Sequence, residues 1–371
     1  MMRVAWFVPS GVAPVESPMH VPVLTALAAT ISRDVDLSVF SFSDGRMPEG
    51  RCGNASVHYL PAAWNDPLWK RSVTLWDSFA GEHKRNKFGI LHGFWGLPCG
   101  FLAALFGRFV HRPSVATFLG GETARIEKIG YGMMHSWKLR RGIEWTCRNA
   151  AATHLLTSYQ QAGLESRGLQ LPGQRVFPLG IDSGRFRWIR KKPTPPYRFL
   201  HVANLTEVKD QRTLLSAFKI ILDRTPSRLR IVGPDFMDGS LQRYARDLRI
   251  DKHVEFTGFV SHKEIAGHYR WAHVYLQSSL HEGQGISVLE AMASGVAVCG
   301  TRVGILDSVP DSCAATSACG DAEHLAANAL ALLQPKRFAS TTRHARRWVE
   351  DHDIDKTVGA MLGLYAELEA V

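Results

Sequence analysis

Short apolar runs alternate with longer amphipathic stretches through most of the chain. In the first half, Val4–Val8, Asp36–Ser41, Ile90–His92, Ser114–Phe118, His154–Thr157 and Arg175–Phe177 predict strands. The stretches around Val23–Ile31 and Gly100–Val110 predict helices between them. The second half restarts the alternation with Tyr197–Ala203, Leu229–Gly233, Val254–Thr257, His273–Leu276 and Val296–Cys299. Strands separated by helices predict an α/β fold, with parallel sheets covered by helices. Between the halves, the stretch from Arg187 to Tyr197 is basic and proline-rich, and unfit for a helix interior. At 371 residues the chain exceeds one ordinary core. The pattern therefore predicts two Rossmann-like domains, 1–190 and 191–350, and a closing helical segment at 351–371.

One segment concentrates candidate chemistry. The run His273–Leu276 leads into a loop broken by Gly283 and Gly285. A short helix is predicted from Ser287 to a glycine cap at Gly295, followed by the strand Val296–Cys299. In parallel sheets ligands bind beyond the carboxyl ends of strands, where this loop falls. Main-chain amides at Gly283–Ile286 suit a phosphate, and the carboxylates of Glu282 and Glu290 suit vicinal hydroxyls. Ser287 and Glu290 also have the spacing of a capping box, in which Glu290 only closes the helix start. Lys209 follows the strand-like run at His201, ahead of a helix predicted over Thr213–Leu222. Its compact ammonium suits a diphosphate, although a loop lysine is also commonly just solvated.

Glu282 and Glu290 are separated by seven residues, with Gly-x-Gly after the first and Ala-Met-Ala-Ser-Gly-Val after the second. This pattern resembles the retaining glycosyltransferases of family four. The resemblance extends over residues 154–186, 200–218, 254–300 and 342–370. It implies the GT-B fold, in which two Rossmann-like domains flank an interdomain cleft, the first taking the acceptor and the second the donor, while the last helix crosses back. The implied reaction is metal-independent retaining transfer of a hexose from a nucleotide-diphosphate sugar to a hydroxyl. The implied acceptor is a glycolipid or an envelope or exopolysaccharide precursor.

By the same resemblance Lys209 and Glu282 are catalytic. Lys209 stabilises the departing diphosphate, and Glu282 holds sugar hydroxyls. Glu290 holds the ribose, with Gly283, Gln284, Gly285, Ile286, Ser287, Asn204 and Phe259 also on the donor side. Gly11, His20, His92, Gly120, Gly121 and Glu122 fall on the acceptor side, with the Glu122 carboxylate facing the cleft. The chain departs from the family pattern twice. Ala203-Asn204 stands where a Gly-Arg pair is usual, which makes Arg212 or Arg302 candidate substitute cations. Leu119 stands at the usual histidine position.

Charge adds a partner. The net charge is +10, and residues 1–190 carry +9 of it. Such asymmetry points to an anionic partner. Two stretches combine cations with aromatics. One is Lys128–Arg141 with Trp145 and Arg148, where Tyr131, Met134, Trp137 and Lys138 are expected on one helix face. The other is Asp66–Ala80, where Leu68, Leu75, Trp69 and Trp76 recur at helical spacing. An anionic membrane surface is the partner expected for the first domain, against the plainer reading of a solvated basic face. No helix-turn-helix or zinc motif accompanies the charge, so nucleic acid is not expected.

Six cysteines without Cys-x-x-Cys spacing predict neither metal nor redox sites, and fit reduced thiols in the cytoplasm. Asp34-Val-Asp36 reads as structural rather than metal-binding. Pro9 cuts the first apolar run too early for a secretory signal, and no apolar run is long enough to span a bilayer. The expected location is cytoplasmic, peripheral at the membrane. A nucleotide-sugar epimerase of the same fold and a non-catalytic anion-binding protein remain open as alternatives.

Overall fold

The structure, a computed structural model, describes residues 1–10, 12, 21–43, 50–61 and 66–370. The chain divides into two compact units, Met1–Leu179 with Ile354–Val371, and Gly180–Asp353. The division falls ahead of the basic proline-rich stretch.

The first unit is built on an eight-stranded sheet in the order β3-β4-β2-β1-β5-β6-β7-β8. These strands are β1 (Arg3–Val8), β2 (Asp36–Ser43), β3 (Gly50–Cys52), β4 (Ala55–Pro61), β5 (Ile90–Phe94), β6 (Ser114–Phe118), β7 (Ala152–Leu155) and β8 (Arg175–Val176). Every neighbouring pair is parallel except β3 with β4. The central strands are buried on both faces, which is why they read as continuous apolar runs. On one face Phe7 and Phe40 pack against Leu75 and Phe79 of the Leu68–Arg85 helix and Phe106 of the Phe101–Val110 helix. A second cluster joins Phe118 and Leu155 to Ile143 and Cys147 of the Trp137–Asn149 helix.

The Ile354–Glu369 helix is tied into this unit by a buried chain of hydrogen bonds. Trp6 Nε1 lies 3.0 Å from the Tyr365 hydroxyl, which lies 2.6 Å from Nδ1 of His92. His92 Nε2 meets Thr117 Oγ1 at 2.6 Å, Thr117 Oγ1 meets His154 Nδ1 at 2.9 Å, and His154 Nε2 meets the Phe177 carbonyl at 2.9 Å. The direction of the chain is fixed at its ends. A carbonyl only accepts, so His154 carries its proton on Nε2 and accepts from Thr117 at Nδ1. Thr117 then accepts from His92 Nε2, and the Tyr365 hydroxyl donates to His92 Nδ1. Both imidazoles are neutral: burial holds His92 well below its ordinary range and brings His154 down to about 4.

The second unit carries a six-stranded, all-parallel sheet in the order β11-β10-β9-β12-β13-β14. Its strands are β9 (Tyr197–Val202), β10 (Ser227–Val232), β11 (Val254–Gly258), β12 (Val274–Gln277), β13 (Ala297–Thr301) and β14 (Ala314–Ser317). Leu200 of β9 pairs with Tyr275 of β12. The winding reverses between these two strands, so the loops that follow them diverge and leave a crevice at their carboxyl ends.

Local chemistry sets the helix after β9. Asp210 takes a left-handed conformation (φ 45°), and its carboxylate accepts from the Thr213 amide at 3.3 Å, capping the Gln211–Arg224 helix. Leu214, Leu215, Phe218 and Ile221 then form one buried stripe. Thr225, in extended conformation ahead of Pro226, ends the helix. The stripe packs with Leu325 and Ala329 on one face of the sheet, while Tyr269, Val288, Met292 and Ala345 fill the other. Truncating a buried Phe such as Phe218 costs about 3–5 kcal/mol. No helix among the described residues is long and apolar enough to cross a membrane.

Candidate functional site

The two loops at the reversal point of the second unit bring the predicted pair together. Lys209 ends a short 3-10 turn, Glu207–Lys209, beyond β9, and Glu282 lies beyond β12. Lys209 Nζ donates to Glu282 Oε1 at 2.6 Å, and the Ser279 hydroxyl donates to the same oxygen at 2.7 Å. Both side chains are only partly accessible, 23% for Lys209 and 13% for Glu282. Burial alone would raise the Glu282 carboxyl, but the Lys209 charge and the two hydrogen bonds outweigh it and hold the group below its ordinary range. The loops are also stitched by their backbones. Ser278 Oγ donates to the Lys209 carbonyl at 2.8 Å, and the Leu280 amide donates to Val208 at 2.8 Å.

Beneath the loops lies His201, 1% exposed. Its Nδ1 donates to the Leu276 carbonyl at 2.9 Å, so Nε2 accepts from the Gln211 amide at 3.4 Å. Gln211 also donates to the Asn204 carbonyl at 3.1 Å. The Asn204 residue itself is exposed, as is Phe259 just beyond β11.

Gly283 and Gly285 lead into the Ile286–Ala293 helix. Gly285 sits at φ 96°, a backbone region that disfavours other residues, and no side chain caps this helix start. Gln284 is 2% exposed and its carbonyl accepts from Ile305 at 2.7 Å, so its side chain faces inward. Ile286 packs against the core, and Ser287 Oγ lies 2.7 Å from the Tyr275 hydroxyl.

Glu290 does not form a capping box. Its Oε1 lies 3.0 Å from His262 Nε2, and its Oε2 accepts from the Tyr269 hydroxyl at 2.7 Å. Arg185 Nη1 lies 2.6 Å from His262 Nδ1. A guanidinium only donates, so Nδ1 accepts and His262 carries its proton on Nε2, aimed at Glu290. Sequence reasoning missed His262, Tyr269 and Arg185, whose partners lie far away along the chain, and Ser279, whose hydroxyl turns onto nearby Glu282.

The substitute cations are engaged elsewhere. Arg302 pairs with Asp311 at 3.1 Å and donates to Thr316 Oγ1 at 2.6 Å, while Arg212 lies over the Tyr244 ring at 4.8 Å.

In the first unit, four residues expected on the acceptor side, Glu122, Gly120, Gly121 and His92, are packed within the unit itself. Glu122 does not face outward; it is 1% exposed. Its carboxylate accepts from the amides of Leu119 (2.8 Å), Gly120 (2.9 Å) and Gly96 (3.4 Å), so it fastens its own loop. Burial pushes the Glu122 carboxyl up, against the pull of those amides. Gly120's amide is thus consumed, and a side chain at Gly121 would strike the Tyr131 hydroxyl at 2.7 Å. His92 is fully buried in the Tyr365 chain and cannot touch an acceptor in this structure. Gly11 and His20 lie outside the described residues.

The two stretches expected to face lipid also differ from expectation. Gly130 (φ 59°) and Gly132 (φ 108°) break the first, so Tyr131 and Met134 precede the Trp137–Asn149 helix, and Met134 is buried. Trp137 and Leu139 remain 68% and 42% exposed. In the second, Leu75 is buried and Trp76 packs on Phe106, while Leu68, Trp69 and Val73 face solvent.

The fold defines a class. Over its full length the chain superposes on sucrose-phosphate synthase from Thermosynechococcus elongatus with a TM-score of 0.85, at 18% identity and covering 100% of both chains. Residues 196–335 match the family model described as glycosyl transferases group 1. The chain has the fold of the GT-B glycosyltransferases, and residues 196–335 carry the group 1 glycosyl transferase pattern. Among its relatives is the putative glycosyltransferase EpsD of Bacillus subtilis, 30% identical over 43% of this chain and 45% of the relative. A second is the GDP-mannose-dependent alpha-(1-6)-phosphatidylinositol monomannoside mannosyltransferase of Mycolicibacterium smegmatis, 32% identical over 50% of this chain and 54% of the relative. The chain spans about half the length of these curated relatives.

Proposed function

We propose that this protein is a retaining glycosyltransferase that moves a sugar from a nucleotide-diphosphate donor to a hydroxyl acceptor on a glycolipid or an envelope or exopolysaccharide precursor. The observation that carries this reading is the Lys209–Glu282 contact, 2.6 Å across the point where the second sheet reverses, beside the uncapped helix start at Gly285.

Each group has a role that its surroundings support. The Lys209 ammonium and the amides at the start of the Ile286–Ala293 helix receive the diphosphate and take up charge as the glycosyl bond breaks. Both hydrogen bonds to Glu282 fall on Oε1, and Oε2 takes a hydroxyl of the donor sugar. Glu290, oriented by Tyr269 and His262, takes the ribose hydroxyls. The acceptor oxygen bonds to the anomeric carbon on the face the diphosphate leaves, and a departing phosphate oxygen takes the acceptor's proton. Lys209 supplies the positive charge, so the reaction runs without a metal.

The name of the mannosyltransferase relative supports both a nucleotide-sugar donor and a lipid-linked acceptor. The first unit then works peripherally at the cytoplasmic face of a membrane, docked on anionic lipid, a reading supported by its exposed aromatics.

The test is thermal unfolding with UDP, GDP and ADP. The matching nucleotide at 100 times its Kd stabilises the fold by about 2.7 kcal/mol. No shift with any of them defeats the reading. Sugar transfer to a lipid-linked acceptor, followed by anomeric analysis of the product, then checks retention.

A further inference from the structure

The first unit carries a pocket that the sugar chemistry does not use. It lies where the Phe101–Val110 helix ends and β6 begins, at the amino-terminal edge of the sheet. Its volume is about 620 Å³, and Arg108, Phe109, His111 and Arg112 line it together with Asn149. Neither Asp nor Glu is among its lining residues. Arg108 donates to Asn149 Oδ1 at 3.2 Å. The Arg112 guanidinium makes no hydrogen bond or ion pair among the described residues.

Apolar side chains face solvent beside this pocket. Phe109 is 66% exposed and meets the Trp76 ring edge-on at 6.0 Å. From Trp76 the exposed face continues along the Leu68–Arg85 helix to Val73, 53% exposed, and Trp69, 69% exposed. Positions four and seven apart share one helix face, so these residues and Phe109 form a continuous stripe. The nearby Asp66 is neutralised by Lys70 at 3.0 Å, and Asp77 lies at the flank of the stripe.

Two plain explanations fall short. A cation near a helix carboxyl end is favoured by the helix dipole, which accounts for Arg108. It does not account for Arg112 or for an exposed Phe109. A soluble phosphate ester would use the cationic pocket but would leave the aromatic stripe uncovered, and contiguous exposed apolar surface marks an interaction site.

We propose that this surface docks on an anionic bilayer, with Arg108 and Arg112 holding a headgroup phosphate in the pocket and Phe109, Val73 and Trp69 entering the interfacial layer over the half-buried Trp76. Guanidinium forks match phosphate oxygens, and aromatic rings favour the headgroup level. The proposal rests on the membrane-facing part of the function above, and states where the contact is made and what it recognises.

The test is co-sedimentation of the full chain at low salt with vesicles of phosphatidylcholine alone or mixed with phosphatidylglycerol. The wild type is expected to bind only the mixed vesicles. Each cation contributes about fivefold to such binding, so R108Q/R112Q should lower it about twenty-fivefold. R108K/R112K should also bind more weakly than wild type, because lysine lacks the fork, and F109S should bind more weakly too. The proposal is overturned if R108Q/R112Q binds like wild type, if the lysine pair is indistinguishable from wild type, or if only Trp137→Ser abolishes binding. It also fails if glycerol 3-phosphate raises the wild-type Tm, but not that of R108Q/R112Q, while no vesicle is bound; the pocket then serves a soluble ester. Nucleotide-dependent stabilisation measured on the same variants separates the two readings. If it is intact without vesicle binding, only the docking surface fails; if it is lost in the wild type as well, the donor site fails.

Discussion

Lys209 Nζ and Glu282 Oε1 lie 2.6 Å apart, so the cation meant for a diphosphate and the carboxylate meant for a sugar hold each other. Each positions the other, and each should be needed for turnover. Lys209→Ala should lower kcat by about 100- to 1000-fold, the range for losing one donor to developing charge. Glu282→Ala should also cut kcat strongly. Both changes remove half of a partly buried ion pair, so Tm is measured in parallel. Activity within threefold of wild type in a folded Lys209→Ala protein would assign the diphosphate to another cation.

Glu290→Gln should act mainly on nucleotide affinity. The amide keeps the shape of the carboxylate but lowers its capacity to accept from Tyr269 and His262 together with a ribose. Calorimetric titration with the matching nucleoside diphosphate is expected to show a Kd about 10-fold higher, in keeping with the loss of a hydrogen bond to a charged group. Tyr269→Phe should move Kd in the same direction by a smaller factor, since it frees the carboxylate to turn.

Chelation should leave the rate unchanged, because Lys209 supplies the positive charge at the leaving group. Assays with and without EDTA check this. Loss of activity on chelation and its return with one divalent ion would transfer that role to a metal.

Acid should weaken the first unit in a defined window. The His154 value falls from an ordinary 6.5 to about 4 on burial. Between those values the unfolded chain binds a proton that the folded chain excludes. Stability from this residue is therefore complete above about pH 6.5 and is lost as pH falls toward 4, by about 1.4 kcal/mol per pH unit. His92 is lowered further and acts in the same direction. Urea unfolding from pH 7 to 5 should show this slope in wild type and a shallower one in His154→Gln. Tyr365→Phe removes the donor to His92 Nδ1 and should cost about 1–3 kcal/mol at neutral pH.

The second unit was largely legible in the sequence because its central strands are short, apolar and separated by amphipathic helices. The loop with Glu282 and the turn with Lys209 could be placed from glycine breaks and strand ends alone. Polar residues at strand ends in the first unit misled for a physical reason. His92 and Glu122 look like site residues in sequence, but their roles are set by distant or folded-back partners, Tyr365 for one and the amides of Leu119, Gly120 and Gly96 for the other. The supports of Glu290 were hidden similarly, since His262 and Tyr269 sit in ordinary polar and helical contexts. β14, Ala314–Ser317, escaped notice because small and hydroxyl residues give little strand signal. β4 was missed as well, with Ser56 exposed between buried Ala55 and Val57 and His58 only partly buried after them. The basic stretch at 128–141 failed as one helix face because Gly130 and Gly132 take positive φ.

Because residues 354–371 return to the first unit, that unit starts to emerge before the second and is completed after it. A ribosome delivers Trp6, His92, Thr117 and His154 early, but Tyr365 only after all of 180–353 has emerged. At common elongation rates that delay is roughly 10–35 s. During it the Trp6 indole and the His92 imidazole wait without the hydroxyl that joins them in the mature fold. The second unit is continuous in sequence and is complete before its predecessor. A message truncated ahead of the last helix therefore yields a whole second unit attached to an unfinished first one, and cellular proteases should trim that product back to a stable fragment beginning near Gly180.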